Sequence, residues 1–224
     1  MAAEIADERI AHVLGALERE RSTGLLRVGD DGAFQIVRGA VAHAESRHAP
    51  DPGEPPDGPG RELPELLAVF DAAYFLLGSA AEPDFTEGPP SARPRRITAA
   101  TLVHERRRRR GLLDAAWPDA GVDVAPVVPV RRVRRQRVIL TGVQAEILLN
   151  ADGRRTPAEL AAHLGRTAFG CLLAVRGLAA ASLLRTERQA TAAVPAAPSG
   201  IPTGWAPADR DLLVRLHTAL TELG

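Results

Sequence analysis

The charged residues of this 224-residue chain are divided by sign along the sequence. Residues 1–90 contain 7 arginines and 17 acidic residues, whereas residues 91–189 contain 19 arginines and 8 acidic residues. The formal net charge of the whole chain is nevertheless zero, and all basic residues are arginines. A chain with an acidic and a basic half is expected to form two small domains. Its basic half then either binds an anionic partner or docks against the acidic half.

Cysteine content and hydropathy predict a soluble protein of the cytoplasm. Cys171 is the single cysteine, so no intrachain disulfide is possible. The acidic N-terminus lacks the basic start and apolar run of a signal peptide. No uncharged apolar stretch approaches the roughly 18 residues that a membrane span requires, so we expect no membrane partner.

The acidic half has the pattern of a small α+β domain. Residues 4–20 carry apolar side chains at helical spacing, which predicts an amphipathic helix. Three short strands separated by glycine-containing turns are then predicted, at residues 25–28, 33–37 and 40–45. After a proline-rich loop at 47–61, the pattern predicts a short helix at 63–70, a strand at 73–77 and a second proline-rich connector at 82–95.

A very basic helix is predicted over residues 98–116, ending before Pro118. It contains five consecutive arginines, and five residues span the full circumference of a helix. The apolar stripe set by Leu102 and Leu113 therefore passes over Arg106 and Arg109. We expect at least one of these two arginines to pair with a carboxylate, and the N-terminal half can supply one. An extended linker at 121–130 and a basic strand or arm at 131–140 follow.

The C-terminal module carries two capping boxes, which mark the starts of two helices. Thr141 with Gln144 predicts a helix to about Asn150, and Thr156 with Glu159 predicts a helix closed by Gly165. A third helix is predicted at 168–180, then a strand at 182–185 and a wing at 186–189. Three such helices followed by a strand are typical of a winged helix-turn-helix.

The last amphipathic helix is predicted at residues 207–222, after a linker rich in alanine and proline. So small a helix cannot bury its leucine face alone and must pack on the body of the protein or on another subunit. We expect the second arrangement, a homodimer. The residues of that face are Leu212, Leu213, Leu216 and Leu220.

The predicted class is thus α+β: a small helix-plus-antiparallel-sheet domain, a mainly helical winged helix-turn-helix domain and a C-terminal helix. The domains are predicted as an acidic regulatory or dimerisation domain (1–90), a basic helix and linker (91–130), the winged-helix-like domain (131–189) and the linker with the last helix (190–224).

Two sequence runs resemble a known bacterial family. The run 23–28, TGLLRV, and the run 34–44, FQIVRGAVAHA, resemble the domain of unknown function 4388, which also occurs in PatA-type regulators. The run 150–161, NADGRRTPAELA, looks like an element of the helical module that often follows it. The resemblance implies regulation or signalling and brings no catalytic residues. The loop at 47–61 is longer than usual in that family, and the arginine helix is more basic.

No catalytic or cofactor motif is present in the sequence. The six histidines are scattered without zinc-ligand spacing, and neither a phosphate-binding glycine loop nor a nucleophile elbow occurs. Cys171, inside the third helix, is expected to be a small buried hydrophobe. We therefore expect a protein that is not an enzyme and has no cofactor or metal.

Two functions remain open, and a small-molecule sensor ranks behind both. The first is a bacterial transcriptional regulator that binds DNA through the basic winged-helix-like module, with phosphate contacts supplying affinity. The alternative is a signalling or developmental adaptor whose winged helix binds an acidic protein. The third helix offers only Arg176 to a base edge, which argues against sequence-specific reading. The candidate DNA-binding residues are Arg131, Arg132, Arg134, Arg135, Arg137, Arg154, Arg155, Thr156, Arg166, Thr167, Arg176, Arg185 and Arg188.

Overall fold

A computed structural model of the chain describes residues 2–49, 62–89, 96–131 and 138–186. These residues belong to one compact unit, Met1–Thr186. In chain order the elements are α1 (Ala2–Glu20), β1 (Gly24–Val28), β2 (Gly32–Val37), β3 (Ala40–Ser46), α2 (Glu62–Leu76), β4 (Pro83–Glu87), α3 (Ala99–Ala116), a 3-10 turn (Ala120–Asp123), α4 (Gly142–Asn150), α5 (Pro157–Leu164) and α6 (Ala168–Ala180). The predicted α+β class is confirmed.

The four strands form one antiparallel sheet in the order β3-β2-β1-β4. Leu26 in β1 lies opposite Phe34 of β2 and Phe85 of β4, so these three side chains share one face of the sheet. That face packs against α1, α2 and the first half of α3. On the other face, Arg27 and Glu45 are exposed, while Ala33 between them is buried.

Two predictions in this domain are wrong. Residues 73–77 were expected to form a strand, but α2 runs through residue 76 and Leu77 is packed directly after it. Val69, Ala73 and Leu76 are buried together on one face of that helix, because their spacing suits helical burial. The fourth strand, β4, instead lies inside the segment that was expected to be a connector.

The helical module begins its helices at the predicted caps. Both capping boxes are formed, with the Thr141 and Thr156 hydroxyls accepting from the backbone N–H groups of Gln144 and Glu159. Gly165 ends α5 with a φ of 61°, a left-handed conformation that glycine adopts without strain. The strand expected at 182–185 is reduced to one antiparallel bridge between Pro129 and Leu184. The wing beyond Thr186 lies outside the described residues.

Helix α3 contacts both α2 and α6 and so links the two hydrophobic clusters of the unit. Its first half contributes Ala99 and Leu102 to the sheet cluster, while Trp117, directly after its end, packs on the helical cluster. Phe75 of α2 also packs on the helical cluster. The region assigned to a basic helix and linker, together with α2, therefore provides the contact between the sheet and the helical module.

Candidate nucleic-acid interface

The third helix of the module, α6, is surrounded by other elements. It packs against α3, α4, α5 and the 3-10 turn. Eight of its residues are buried: Ala168, Cys171, Leu172, Ala174, Val175, Arg176, Leu178 and Ala179. A recognition helix must expose one face to enter the major groove of DNA. In this structure α6 is the central helix of its module, and of its residues only Ala180 is exposed, so it presents no exposed face of base-reading side chains.

The assignment of Arg176 to a base edge is therefore corrected. Arg176 is only 2% exposed. Its guanidinium donates to both carboxylate oxygens of Asp123, at 2.8 and 2.6 Å, and to Asp114 at 3.0 Å. It also donates to the carbonyl oxygen of Trp117. Burial works to lower the pKa of Arg176, but the bonds to Asp123 and Asp114 outweigh it, so the pKa is raised and the side chain stays charged. Arg176 joins α6 to the end of α3.

The arginine run of α3 meets a carboxylate of the acidic half, as predicted. Arg109 Nη1 lies 2.5 Å from Asp71 Oδ1 on α2, and both side chains are 4% exposed. The guanidinium also lies over the ring of Phe169, 4.7 Å from its centroid. The second oxygen of Asp71 accepts from the backbone N–H of Phe169 at 3.4 Å. One buried carboxylate therefore contacts both α3 and the first turn of α6.

Arg106 uses a backbone carbonyl as one of its acceptors. Its Nε donates to the carbonyl oxygen of Tyr74 at 3.0 Å, and its guanidinium lies 5.7 Å from the centre of that ring. Burial, with a smaller contribution from Arg110, lowers the pKa of Arg106 to about 10. Arg106 and Arg109 thus both anchor α3 against α2.

Several candidate DNA-binding residues are engaged in local contacts. Arg166 makes two hydrogen bonds to Glu146, at 2.9 and 2.7 Å, and about half of its side chain is exposed. Arg155 lies 3.2 Å from Asp152 and is also partly exposed. The hydroxyls of Thr156 and Thr167 cap α5 and α6. The two threonines therefore stabilise the starts of their helices. The two arginines form ion pairs that are partly exposed to solvent.

Three exposed arginines surround one extended segment of the module. Along residues 127–130, Val127 N donates to Arg155 O, Val130 N donates to Leu183 O, and Arg185 N donates to Val128 O. These bonds bring the loop that carries Arg154, the stretch that ends in Arg185 and the exposed Arg131 to the same end of the module. We call Arg131, Arg154, Arg155 and Arg185 the wing surface.

The remaining predicted site residues lie outside the described residues. They are Arg132, Arg134, Arg135, Arg137 and Arg188, together with the proposed dimerisation residues Leu212, Leu213, Leu216 and Leu220. Four of these arginines directly follow Arg131 in the sequence, within residues 132–137. Homodimerisation stays a prediction, as do the domain boundaries.

Cys171 is fully buried, as expected, and burial raises its pKa to about 11. Its thiol is therefore protonated at neutral pH and inert as a nucleophile. Within the described ranges, no three His, Cys, Asp or Glu side chains are arranged to hold a metal ion. No helix in the described part of the chain is both long and apolar enough to cross a membrane.

Sequence reasoning missed the acidic partners Asp114 and Asp123 and the burial of α6. One signal was available for the helix. Its residues AFGCLLAVRGLAA are apolar around nearly the whole circumference, and a helix of that kind is expected to be covered on all sides. An arginine within such a helix then requires carboxylates nearby.

Comparison with known proteins gives no relative: no protein-family model, curated protein or solved structure matches the chain. The resemblance to the domain of unknown function 4388 therefore stays a prediction from the residues that carry it.

Proposed function

We propose that this chain is a cytoplasmic bacterial transcriptional regulator, not an enzyme, which binds DNA by contacting phosphates through the wing surface. The observation that carries the proposal is the clustering of exposed arginines around residues 127–130, at one end of a module whose third helix is buried. The resemblance to a regulatory family points the same way.

The chemistry of the wing surface suits a phosphate backbone. Guanidinium groups bind phosphate oxygens through paired N–H donors, and each neutralised phosphate releases counterions. Arg155 pairs with Asp152 in a contact that is partly exposed, so a phosphate can replace the carboxylate at low energetic cost. Because α6 presents no base-reading side chain, we expect similar affinity for unrelated duplex sequences.

The test is fluorescence anisotropy with two unrelated duplexes across a salt series. We expect affinity to fall steeply with salt, with a log–log slope of about −0.9 for each phosphate contacted. The triple substitution of Arg131, Arg154 and Arg185 to alanine should weaken binding to both duplexes equally and flatten the slope by about one unit per lost contact.

Arg107→Ala is the control, because it removes an exposed arginine of α3 that does not belong to the wing surface. It should leave duplex binding within about twofold of the parent, since salt largely screens an exposed charge that contacts no phosphate. Circular dichroism checks that each variant is folded. Equal losses in the control and the triple variant would contradict a localised interface, and no binding at low salt would remove the DNA proposal.

A second candidate function is the protein-binding adaptor. It is favoured by the way the described arginines meet carboxylates within this chain, as in the Arg109–Asp71, Arg166–Glu146 and Arg176–Asp123 pairs. A chain that binds no duplex at low salt but binds an acidic protein through Arg154 and Arg185 would be an adaptor.

A further inference from the structure

We propose that the exposed face of α3 is a docking surface for an acidic helix of a partner protein. This α3 face consists of His104, Arg107, Arg108, Gly111, Leu112 and Ala115. It is separate from the wing surface, so the inference goes beyond DNA contact and does not depend on it.

The α3 face is a continuous stripe on the side of the helix away from its buried residues. Leu102, Arg109 and Leu113 are buried against the rest of the unit. The six residues of the face are spaced by three and four positions, which places them next to one another along three turns. All six are exposed. The stripe is long enough for a second helix to lie along it.

Gly111 lies in the middle of this stripe and has no packing role among the described residues. A glycine in a helix interior costs about 1 kcal/mol relative to alanine. No described atom lies within 4 Å of the position that a Cβ would take. The helical glycine of α6 differs, because a Cβ at Gly177 would meet the side chain of Gln144, whereas Gly142 at the start of α4 is as open as Gly111. At Gly111 the missing side chain leaves room for a helix from outside.

Charge and hydrophobicity identify the kind of partner. Arg107 is exposed, and the side chain of Arg108 remains 51% exposed although it pairs with Glu105. Two carboxylates flank this face, and both meet guanidiniums. Glu105 accepts from Arg108 and Arg109. Asp114, 51% exposed, lies 3.0 Å from Arg176 and 4.0 Å from Arg110. The face is therefore cationic and complements acidic side chains.

Leu112 favours a protein partner over a duplex. It is 41% exposed, one of five large hydrophobic side chains found exposed among the described residues. With Gly111 and Ala115 beside it, the C-terminal half of the face is small and apolar. A phosphate backbone gains nothing from apolar contact, whereas an amphipathic helix with acidic residues and one leucine fits both halves.

The test uses a panel of synthetic helical peptides with glutamate and leucine on one face, and counterparts with lysine in place of glutamate. Binding to the full chain is measured by anisotropy at physiological salt. We expect acidic peptides to bind, and the lysine peptides not to. Arg107→Ala with Arg108→Ala should weaken binding at least tenfold, and Gly111→Leu should weaken it similarly by blocking approach.

The control is the alanine triple variant of the wing surface, which should bind the acidic peptides as the parent does. Gly111→Leu improves helix propensity and leaves the charge unchanged, so its loss of binding reports steric contact at the α3 face. Three results would overturn the proposal: no peptide of the panel binds, Gly111→Leu binds normally, or the wing variant loses as much as the α3 variants. If Arg107→Ala lost duplex binding, the face would be assigned to nucleic acid instead. If Gly111→Leu abolished a dimer of the parent chain, the face would be assigned to a second copy.

Discussion

The carboxylate of Asp71 on α2 is the buried partner of Arg109 on α3, with 2.5 Å between Oδ1 and Nη1. Removing one member of a buried pair leaves an uncompensated charge, which costs about 3–5 kcal/mol. We therefore expect Arg109→Met to lower the free energy of unfolding by that amount, measured by urea denaturation at neutral pH. The double variant Asp71→Leu with Arg109→Met should recover much of the loss, because no charge is then left buried. A double variant as unstable as the single one would contradict this.

The elements of the fold were predictable where their bounds depend on residues close together in the sequence. The three strands β1 to β3 fall within one residue of the prediction, because glycine turns separate short apolar runs. Both capping boxes form as expected. The strand β4 was missed because its residues PDFTE begin with proline and are mostly polar, and an edge strand buries too little to show an apolar pattern.

The site was predictable only in part, because the rest depends on which elements meet. Arg109 could be placed on the apolar side of its helix from spacing alone, and its pairing is confirmed. The burial of Arg176 depends on the packing of α6 against α3, and on Asp114 and Asp123 from distant parts of the sequence. Helix-turn-helix spacing predicted three helices but not what covers the third.

Gly111 offers a test of the helix that is independent of any partner. Because a Cβ at this position meets no described atom, Gly111→Ala should raise the free energy of unfolding by about 1 kcal/mol. Gly24→Ala is the contrasting variant, since its Cβ would collide with the backbone carbonyl of Thr86 across the β1–β4 pair. That variant should be destabilised. A Gly111→Ala protein no more stable than the parent would show that the position is constrained within the unit.

The Thr156 cap supports the start of α5 and, with it, the loop that carries Arg154. Its hydroxyl accepts from Glu159 N, and the Glu159 carboxylate accepts from Thr156 N. Thr156→Ala should cost about 1 kcal/mol in thermal or urea unfolding. Thr156→Ser keeps the hydroxyl and should stay close to the parent. Equal losses in the two variants would indicate that the threonine methyl group, rather than the cap, is responsible.

Cys171 should react with thiol reagents only when the helical module opens. The thiol is fully buried and its pKa is raised to about 11, so both access and thiolate formation are suppressed in the folded state. When the native protein is mixed with a chromogenic disulfide reagent at neutral pH, almost no coloured thiolate should be released. The same protein in urea should react completely. Rapid reaction of the native chain would contradict the packing of α6.

The Glu105 carboxylate makes part of the stability dependent on pH. Hydrogen bonds from Arg108 and Arg109 lower its pKa from 4.5 to about 2. A carboxyl with a lowered pKa in the folded state stabilises the fold above its unfolded pKa, and that contribution disappears as the pH falls through the folded value. The parent should therefore exceed Glu105→Gln in unfolding free energy above pH 4.5, and the difference should shrink towards pH 2. Arg108→Ala removes the largest cause of the lowered Glu105 pKa. In the Arg108→Ala protein, the difference in unfolding free energy made by Glu105→Gln should therefore disappear at a higher pH than in the parent. A difference that stays constant across this range would show that the charge of Glu105 does not stabilise α3.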